Sequence, residues 1–319
     1  MRRLGRYRLL ERLGTGAFAT VWLARDDDLE VSVALKVLAD NWSGDAGVRE
    51  RFLAEARLLR RIDDPRVVRV HDIGTVPDGD QPYFVMDLAD GGTLADVVEQ
   101  AATRPDAGRA VALAGEVARA VQVLHDHGVV HRDVKPSNLL IARGADGRPR
   151  VVVADLGMAK SLAEASGLTL TAGTPAWMAP EQVRGGGFDA RADVYAVAAV
   201  TYALLTGRPP FEHASVRDVA LRTDPPAAVA LSVGLPAEVD GLLASALDPD
   251  PARRPASAAA FARLLDRAAA GESVQERRPA RPATPAAPPG RWPARLVALW
   301  ALAAFLVALA LTYGALATR

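Results

Sequence analysis

The sequence predicts a bilobal α+β protein, with a small β-rich N-terminal lobe, a larger helical C-terminal lobe and a C-terminal transmembrane helix. Four observations lead to this fold class. Residues 7–38 alternate between two faces as β-strands do, and Arg49 to Ile62 has the apolar spacing of a helix. Residues 193–206 are apolar on every side before a glycine, which is typical of a buried helix. Residues 296–317 contain no charged side chain.

Residues 131–138 read His-Arg-Asp-Val-Lys-Pro-Ser-Asn and bring Asp133, Lys135 and Asn138 into one loop. Phosphoryl transfer needs such a set: a carboxylate to accept a hydroxyl proton, a cation near the moving phosphate and an oxygen ligand for Mg²⁺. The run resembles the catalytic loop of the eukaryotic-type (Hanks-type) protein kinases, with Val134 where leucine is usual. The resemblance implies a bilobal protein kinase fold with helix C in the N-lobe, and ATP and Mg²⁺ as cofactors, with Mn²⁺ as a second candidate.

The N-terminal lobe carries a glycine-rich run that the resemblance assigns to ATP. Gly14 and Gly16 match the kinase pattern, whereas Ala19 stands where a third glycine is usual. Glycines let backbone amides approach phosphates closely. Alone, the run also fits a plain hairpin turn, and a Rossmann site is disfavoured because a strand follows the glycines. The resemblance implies ATP contacts from Leu13, Gly14, Thr15, Gly16, Ala17, Phe18, Ala19, Val21, Ala34, Lys36, Met86, Asp87, Ala89 and Leu140.

Two charged residues of this lobe are expected to pair. Lys36 lies in Val33-Ala34-Leu35-Lys36, which matches the strand whose lysine contacts the α- and β-phosphates. Glu55 falls on the apolar face of the predicted helix from Arg49 to Ile62, and an unpaired buried carboxylate is costly. The resemblance supplies Lys36 as its partner. The alternative is an exposed helix glutamate.

The predicted larger lobe begins at residue 90 and holds the remaining chemistry. After a strand at 151–154, Asp155-Leu156-Gly157 matches the metal-binding Asp-Phe-Gly element, with leucine for phenylalanine. The resemblance implies that Asp155 and Asn138 hold Mg²⁺, that Asp133 is the base and that Lys135 neutralises charge on the γ-phosphate.

Four further residues are implied to support the site or the substrate. Thr174, in Gly173-Thr174-Pro175, resembles the threonine that contacts Asp133 and Lys135 in serine/threonine kinases. Asp193 is expected to anchor the catalytic-loop backbone. Glu181 and Arg254 resemble a structural ion pair.

The resemblance also implies regulation through a phosphorylated loop. Arg132, directly before Asp133, is expected to bind a phosphate through charge-assisted hydrogen bonds. Autophosphorylation is predicted at Thr169 and Thr171, a few residues before Gly173. The alternative is that these are ordinary loop hydroxyls.

The C-terminal region indicates a membrane anchor. Residues 294–317 are mostly Ala, Leu and Val, and the uncharged stretch spans about 33 Å as a helix, close to the thickness of a bilayer's hydrocarbon core. Arginines precede the segment, so the positive-inside rule leaves residues 318–319 outside and predicts a single-pass plasma-membrane protein with a cytoplasmic kinase domain. Residues 271–293 are rich in Pro, Ala and Arg and are predicted to be an extended juxtamembrane linker. A buried core helix is the alternative for the span.

Composition excludes several other functions. The 38 basic and 38 acidic residues balance, so no nucleic-acid partner is indicated, and the absence of cysteine excludes disulfides and cysteine nucleophiles. A zinc site at His125, His127 and His131 is disfavoured, since zinc would need a fourth ligand or a bound water in a fixed geometry. By resemblance, His131 supports the catalytic loop and His125 is a packing histidine of the preceding helix. A small-xxx-small pair, Ala310 and Gly314, favours pairing of membrane helices and hence a homodimer.

The sequence thus predicts a bacterial membrane-anchored protein serine/threonine kinase, with an N-lobe over residues 1–89, a C-lobe over 90–270 and protein substrates. The alternative from another class is a pseudokinase-type membrane-anchored binding scaffold, indicated only by Ala19 and Leu156. A small-molecule kinase is disfavoured, because the Ala179-Pro180-Glu181 element serves protein substrates.

Overall fold

The computed structural model describes residues 3–77, 79–144, 147, 149–156, 175–184, 187–211, 216–222 and 226–273. Thr169, Thr171 and Thr174 lie outside these residues, as do the predicted membrane helix and all but the first three residues of the predicted linker. Within the described ranges, every helix is too short or too polar to cross a bilayer.

The described part of the N-terminal lobe contains an antiparallel sheet of six strands in the order β1-β2-β3-β4-β6-β5. Its strands are β1 (Arg3–Leu4), β2 (Tyr7–Thr15), β3 (Ala19–Asp26), β4 (Val31–Leu38), β5 (Val70–Thr75) and β6 (Pro82–Met86). Strand β4 lies between β3 and β6, so neighbours pair with it on both edges. Strand β6 ends at Met86.

Both faces of β4 pack against apolar side chains. Val33 and Leu35 belong to a core cluster formed mainly by the outer strands, whereas Ala34 and Leu38 belong to the main core on the opposite face. The predicted alternation thus separates two apolar faces. Lys36 lies between Ala34 and Leu38 in that alternation and is 8% exposed, which brings a buried cation to the main-core side of the sheet.

Helix α1 (Ala46–Arg61) begins three residues before the predicted start at Arg49. The reason is Asp45, whose carboxylate accepts a hydrogen bond from the Val48 amide at 3.0 Å and caps the helix. Phe52 stacks against Phe84 of β6 with ring centroids 5.0 Å apart. This packing holds the helix against the sheet and turns its apolar face, with Glu55, toward β4.

The described C-terminal lobe is mainly helical. Its helices are α2 (Leu94–Ala101), α3 (Ala107–Asp126), α4 (Glu181–Arg184), α5 (Arg191–Thr206), α6 (Val216–Leu221), α7 (Glu238–Ala246) and α8 (Ala258–Ala269). Strands β7 (Leu139–Arg143) and β8 (Pro149–Val153) form an antiparallel hairpin.

Helix α5 is the centre of this lobe. All of its residues from Ala192 to Leu205 are buried, as its uninterrupted apolar sequence predicts. It ends at Gly207, which has a φ of 75° and accepts the left-handed conformation that glycine tolerates.

Candidate active site

Lys36 joins the two lobes through two carboxylates. Its Nζ lies 2.8 Å from Glu55 Oε1 and 3.1 Å from Asp155 Oδ2. The lysine and Glu55 are almost fully buried, whereas 38% of the Asp155 side chain is exposed. Strand β4, helix α1 and the segment after β8 each provide one of the three residues, so the cluster forms only when these elements pack together.

Burial and charge act in opposite directions on the pKa values of this cluster. Burial alone would lower the pKa of Lys36, but the Asp155 and Glu55 carboxylates outweigh it and raise that pKa above its ordinary value. Burial raises the pKa of Glu55, and the nearby charge of Lys36 opposes this shift. The ammonium of Lys36 therefore stays protonated at physiological pH and provides a permanent positive charge in the cleft.

Asp133, Lys135 and Asn138 converge in the loop between α3 and β7. Lys135 Nζ donates to Asp133 Oδ2 at 2.8 Å, and Asn138 Nδ2 donates to the same oxygen at 3.1 Å and to the Asp133 main-chain oxygen at 2.9 Å. A short 3₁₀ helix, Pro136–Asn138, returns the chain sharply enough to bring Asn138 back to Asp133. Two donors thus hold the Asp133 carboxylate in one orientation.

Asp193 fixes the backbone of this loop from the buried helix α5. Its carboxylate accepts hydrogen bonds from the His131 amide at 2.7 Å and the Arg132 amide at 2.9 Å. Arg132 has a φ of 71°, a conformation that L-residues rarely adopt, and the Asp193 bond offsets its cost. His125 Nε2 also lies 2.8 Å from Asp193 Oδ2. The predicted role of His125 was packing only, and this polar partner was missed.

The glycine-rich run forms the turn between β2 and β3. Gly14 pairs with Val21, and the Gly16 amide donates to the Ala19 main-chain oxygen at 2.8 Å. A Cβ added at Gly14 would meet no atom within 4 Å, so the turn borders open space. Ala19, in place of a third glycine, fits as the first residue of β3.

Phe18 and Ala17 at the tip are held by a residue that sequence reasoning missed. The Trp42 ring lies 5.1 Å from the Phe18 ring, and its Nε1 donates to the Ala17 main-chain oxygen at 3.0 Å. Leu13 is exposed and Thr15 pairs with Thr20, and both lie in the part of β2 that leads into this turn.

The segment after β6 presents main-chain groups beside Ala34. Met86 is buried and pairs with Ala34 across the sheet. The Asp87 amide donates to the Arg69 main-chain oxygen at 3.0 Å, so Asp87 offers its carbonyl as an acceptor. Leu140, in β7, forms an isolated bridge with Thr93 just beyond this segment.

A second charged cluster lies below the catalytic loop. Arg254 donates to both carboxylate oxygens of Glu181, at 2.6 and 2.8 Å. The neighbouring Gln182, which sequence reasoning missed, donates to the Arg132 main-chain oxygen at 2.8 Å and accepts from the Ala179 amide at 3.0 Å. Gln182 thus links the segment before α4 to the catalytic loop.

The donor set fits a hard divalent cation. Asn138 commits its amide nitrogen to Asp133, which leaves its Oδ1 for a cation, and Asp155 brings a partly exposed carboxylate to the same cleft. Mg²⁺ prefers such oxygen ligands. Leu156 is 2% exposed and packs in the main core, so leucine fills this position with an apolar side chain.

The match to known proteins covers most of the chain. The protein kinase domain family matches residues 7–264. The chain is 42% identical over 264 residues to the serine/threonine-protein kinase PknJ of Mycobacterium tuberculosis, covering 80% of this chain and 44% of PknJ. It is 39% identical over 268 residues to PknL of the same species, covering 82% of this chain and 65% of PknL, and 38% identical over 276 residues to PknB, covering 84% and 43%.

A solved structure supports the same conclusion. The M. tuberculosis PknI kinase domain superimposes with a TM-score of 0.65 and 29% identity, over 84% of this chain and 98% of that one. This confirms the predicted β-sheet N-lobe and helical C-lobe. The chain spans between 43% and 65% of the length of the curated relatives described above. It belongs to the bacterial Hanks-type serine/threonine protein kinases.

Proposed function

We propose that this chain transfers the γ-phosphate of ATP to serine and threonine hydroxyls of proteins. One observation carries the proposal: Lys36 is held 2.8 Å from Glu55 and 3.1 Å from Asp155, which is the ion-pair arrangement of a kinase competent for phosphoryl transfer. The relatives named as serine/threonine-protein kinases support the substrate class.

Each side chain has a separate task in this proposal. Lys36 binds oxygens of the ATP α- and β-phosphates, and Glu55 fixes its position. Asp133 accepts the proton of the substrate hydroxyl, and Lys135, 2.8 Å from it, stabilises charge on the transferred phosphate. Asp87 and Ala89 bind adenine through the main chain, beside Met86 and Ala34.

Asn138 and Asp155 would hold Mg²⁺. When bound, the ion neutralises charge on the phosphates. Asp193 positions the catalytic loop through two backbone hydrogen bonds, and Arg254 supports Glu181.

The remaining proposals rest on sequence. The kinase domain divides at residue 89, with lobes at 1–89 and 90–270. Thr169 and Thr171 are autophosphorylated, and Thr174 contacts Asp133 and Lys135. Residues 271–293 tether the domain to a membrane helix at 294–317, which keeps the kinase in the cytoplasm and favours homodimers.

The test is transfer of labelled γ-phosphate by the full chain with Mg²⁺ and ATP. We expect label on the wild type at threonine and on a generic protein substrate, and a loss of about 10³-fold in Asp133→Asn, since a positioned base contributes about 10²–10⁴-fold. ATP binding without transfer by the wild type, to itself or to generic substrates, would instead favour the scaffold alternative.

A further inference from the structure

Two concavities on the C-terminal lobe lie outside the candidate active site and meet at Arg109. The first has a volume of about 800 Å³ and lies between α2, the start of α3 and α5. The second has a volume of about 360 Å³ and lies between α3 and the start of β8. Arg109 lines both, so the two concavities are adjacent along α3, and we call them together the α3 channel.

The second part of the α3 channel is strongly basic. Arg66, Arg109, Arg119 and Arg150 line it, with Glu116 as the acidic side chain of the lining. Glu116 accepts a hydrogen bond from Arg119 at 2.9 Å and lies 3.7 Å from Arg66. Arg66 also lies 3.9 Å from Asp64, so nearby carboxylates partly compensate Arg66 and Arg119, and arginines still outnumber carboxylates.

Arg109 and Arg150 are the least compensated members of this group. Among the residues that the structure describes, neither side chain forms an ion pair, and Arg109 is exposed. A surface with an excess of one charge sign attracts the opposite charge. Arginine clusters are a recurrent means of recognising acidic protein segments.

The first part of the α3 channel has an apolar floor. Val97, Ala101, Ala110 and Leu204 line it and are each at most 9% exposed, while Arg104 and Asp106 lie at the exposed rim. An apolar floor beside a row of arginines matches a ligand that carries an apolar side chain next to carboxylates.

We propose that the α3 channel docks an extended acidic segment of a partner protein, with an apolar side chain in the first concavity and carboxylates on Arg109 and Arg150. The proposal deepens the proposed kinase function, because a docked segment would hold a protein substrate on the kinase domain. The chain's own linker is a poor occupant: it carries Arg277, Arg278, Arg281 and Arg291, which the channel would repel. A concave channel also suits a protein segment better than the flat face of a bilayer.

Binding is measured without ATP, so the result does not depend on phosphoryl transfer. The probe is a fluorescein-labelled peptide of four glutamates with a Gly-Leu-Leu unit at each end, so that either chain direction can place a leucine. A matched peptide has glutamines in place of the glutamates. The full chain, in detergent micelles, is titrated and fluorescence anisotropy is recorded.

The variant Arg109→Glu with Arg150→Glu should bind the acidic peptide about tenfold or more weakly, because two attractive charges become repulsive. The control, Arg60→Glu with Arg263→Glu, changes charge by the same amount at two exposed helix positions outside the channel and should stay within about twofold. Raising salt from about 50 to about 300 mM should weaken wild-type binding. Thermal unfolding of both variants checks that they are folded.

Equal affinity of the wild type and the channel variant for the acidic peptide would overturn the proposal. So would equal affinity of the wild type for the glutamine peptide. Displacement of the peptide by dihexanoyl phosphatidylserine at the same concentration would also overturn it, since the channel would then be a site for anionic lipid headgroups.

Discussion

Two buried ion pairs, one beside the nucleotide cleft and one below the catalytic loop, differ in how firmly their partners are fixed. Lys36 shares one ammonium between Glu55 and Asp155, and Asp155 is partly exposed. Arg254 has a fully buried side chain and binds both oxygens of Glu181. The nitrogen–oxygen distances in the two ion pairs are similar, but the groups that surround the two cations differ.

The guanidinium of Arg254 is satisfied by fixed groups on every side. Besides Glu181, it donates to the main-chain oxygens of Asp248 and Arg191, at 2.8 and 3.0 Å, and it lies over the Tyr195 ring. Three segments of the chain thus depend on one side chain. A planar fork of donors suits such a role better than an ammonium does.

Lys36 differs because its partners are carboxylate side chains rather than backbone. An ammonium on a flexible stem is a point charge that can move among oxygen atoms. The comparison indicates that the Lys36 cluster serves phosphate chemistry and that the Arg254 cluster serves architecture. The same substitution, to methionine, should therefore mainly reduce catalytic activity at Lys36 and mainly reduce stability at Arg254.

Lys36→Met should lower kcat/KM for ATP by about 10³-fold, since one preorganised electrostatic contact contributes about 10²–10³. The unfolding free energy should fall less than for the Arg254 variant. The reason for this smaller loss of stability is that the Glu55 carboxyl can be neutralised. Burial already raises its pKa, so without Lys36 it takes up a proton more readily than an exposed glutamate does. Steady-state kinetics and urea unfolding of the same preparation measure both quantities. Unchanged kinetics would refute the assigned role of Lys36.

Arg254→Met should lower the free energy of unfolding by about 4 kcal/mol, because it leaves the Glu181 carboxylate and two main-chain oxygens without their donor. Specific activity of the folded fraction at low temperature should stay within about tenfold of the wild type. Urea unfolding followed by tryptophan fluorescence gives the free energy. A loss of activity without a loss of stability would reverse the comparison.

Residues with chemical roles could be predicted because each lies in a short run with one backbone shape. Asp133, Lys135 and Asn138 span six positions, and the 3₁₀ turn brings them together. The alternation around Lys36 likewise predicted its face. Such short runs are similar to kinase motifs, and this resemblance assigned the roles of their residues.

Contacts between distant segments could not be predicted in the same way. Gln182 bonds to a backbone oxygen 50 positions away, and His125 contacts Asp193 across 68 positions. Neither contact leaves a periodic or local signal in the sequence, because both result from the packing of helices. The start of α1 also differed from the predicted one, since the cap at Asp45 lies before the apolar periodicity begins.

Substitution of Gly207 should have the smallest of these effects on the free energy of unfolding. It tests whether the packing around α5 is as rigid as the Arg254 cluster suggests. Its φ of 75° strains any L-residue, and a Cβ there would lie 2.3 Å from the Ala102 backbone. Gly207→Ala should therefore lower the unfolding free energy by about 3 kcal/mol.

The matched control is Gly241→Ala in α7, where an added Cβ meets no atom within 4 Å. That substitution should raise the unfolding free energy by about 0.5–1 kcal/mol, because alanine favours the helix over glycine. If the backbone conformation of Gly207 and the contact with Ala102 determine stability, urea unfolding should show changes in unfolding free energy of opposite sign for the two variants. Equal, small effects would mean that the α2 end moves aside, and that the packing around α5 yields more easily than the Arg254 cluster does.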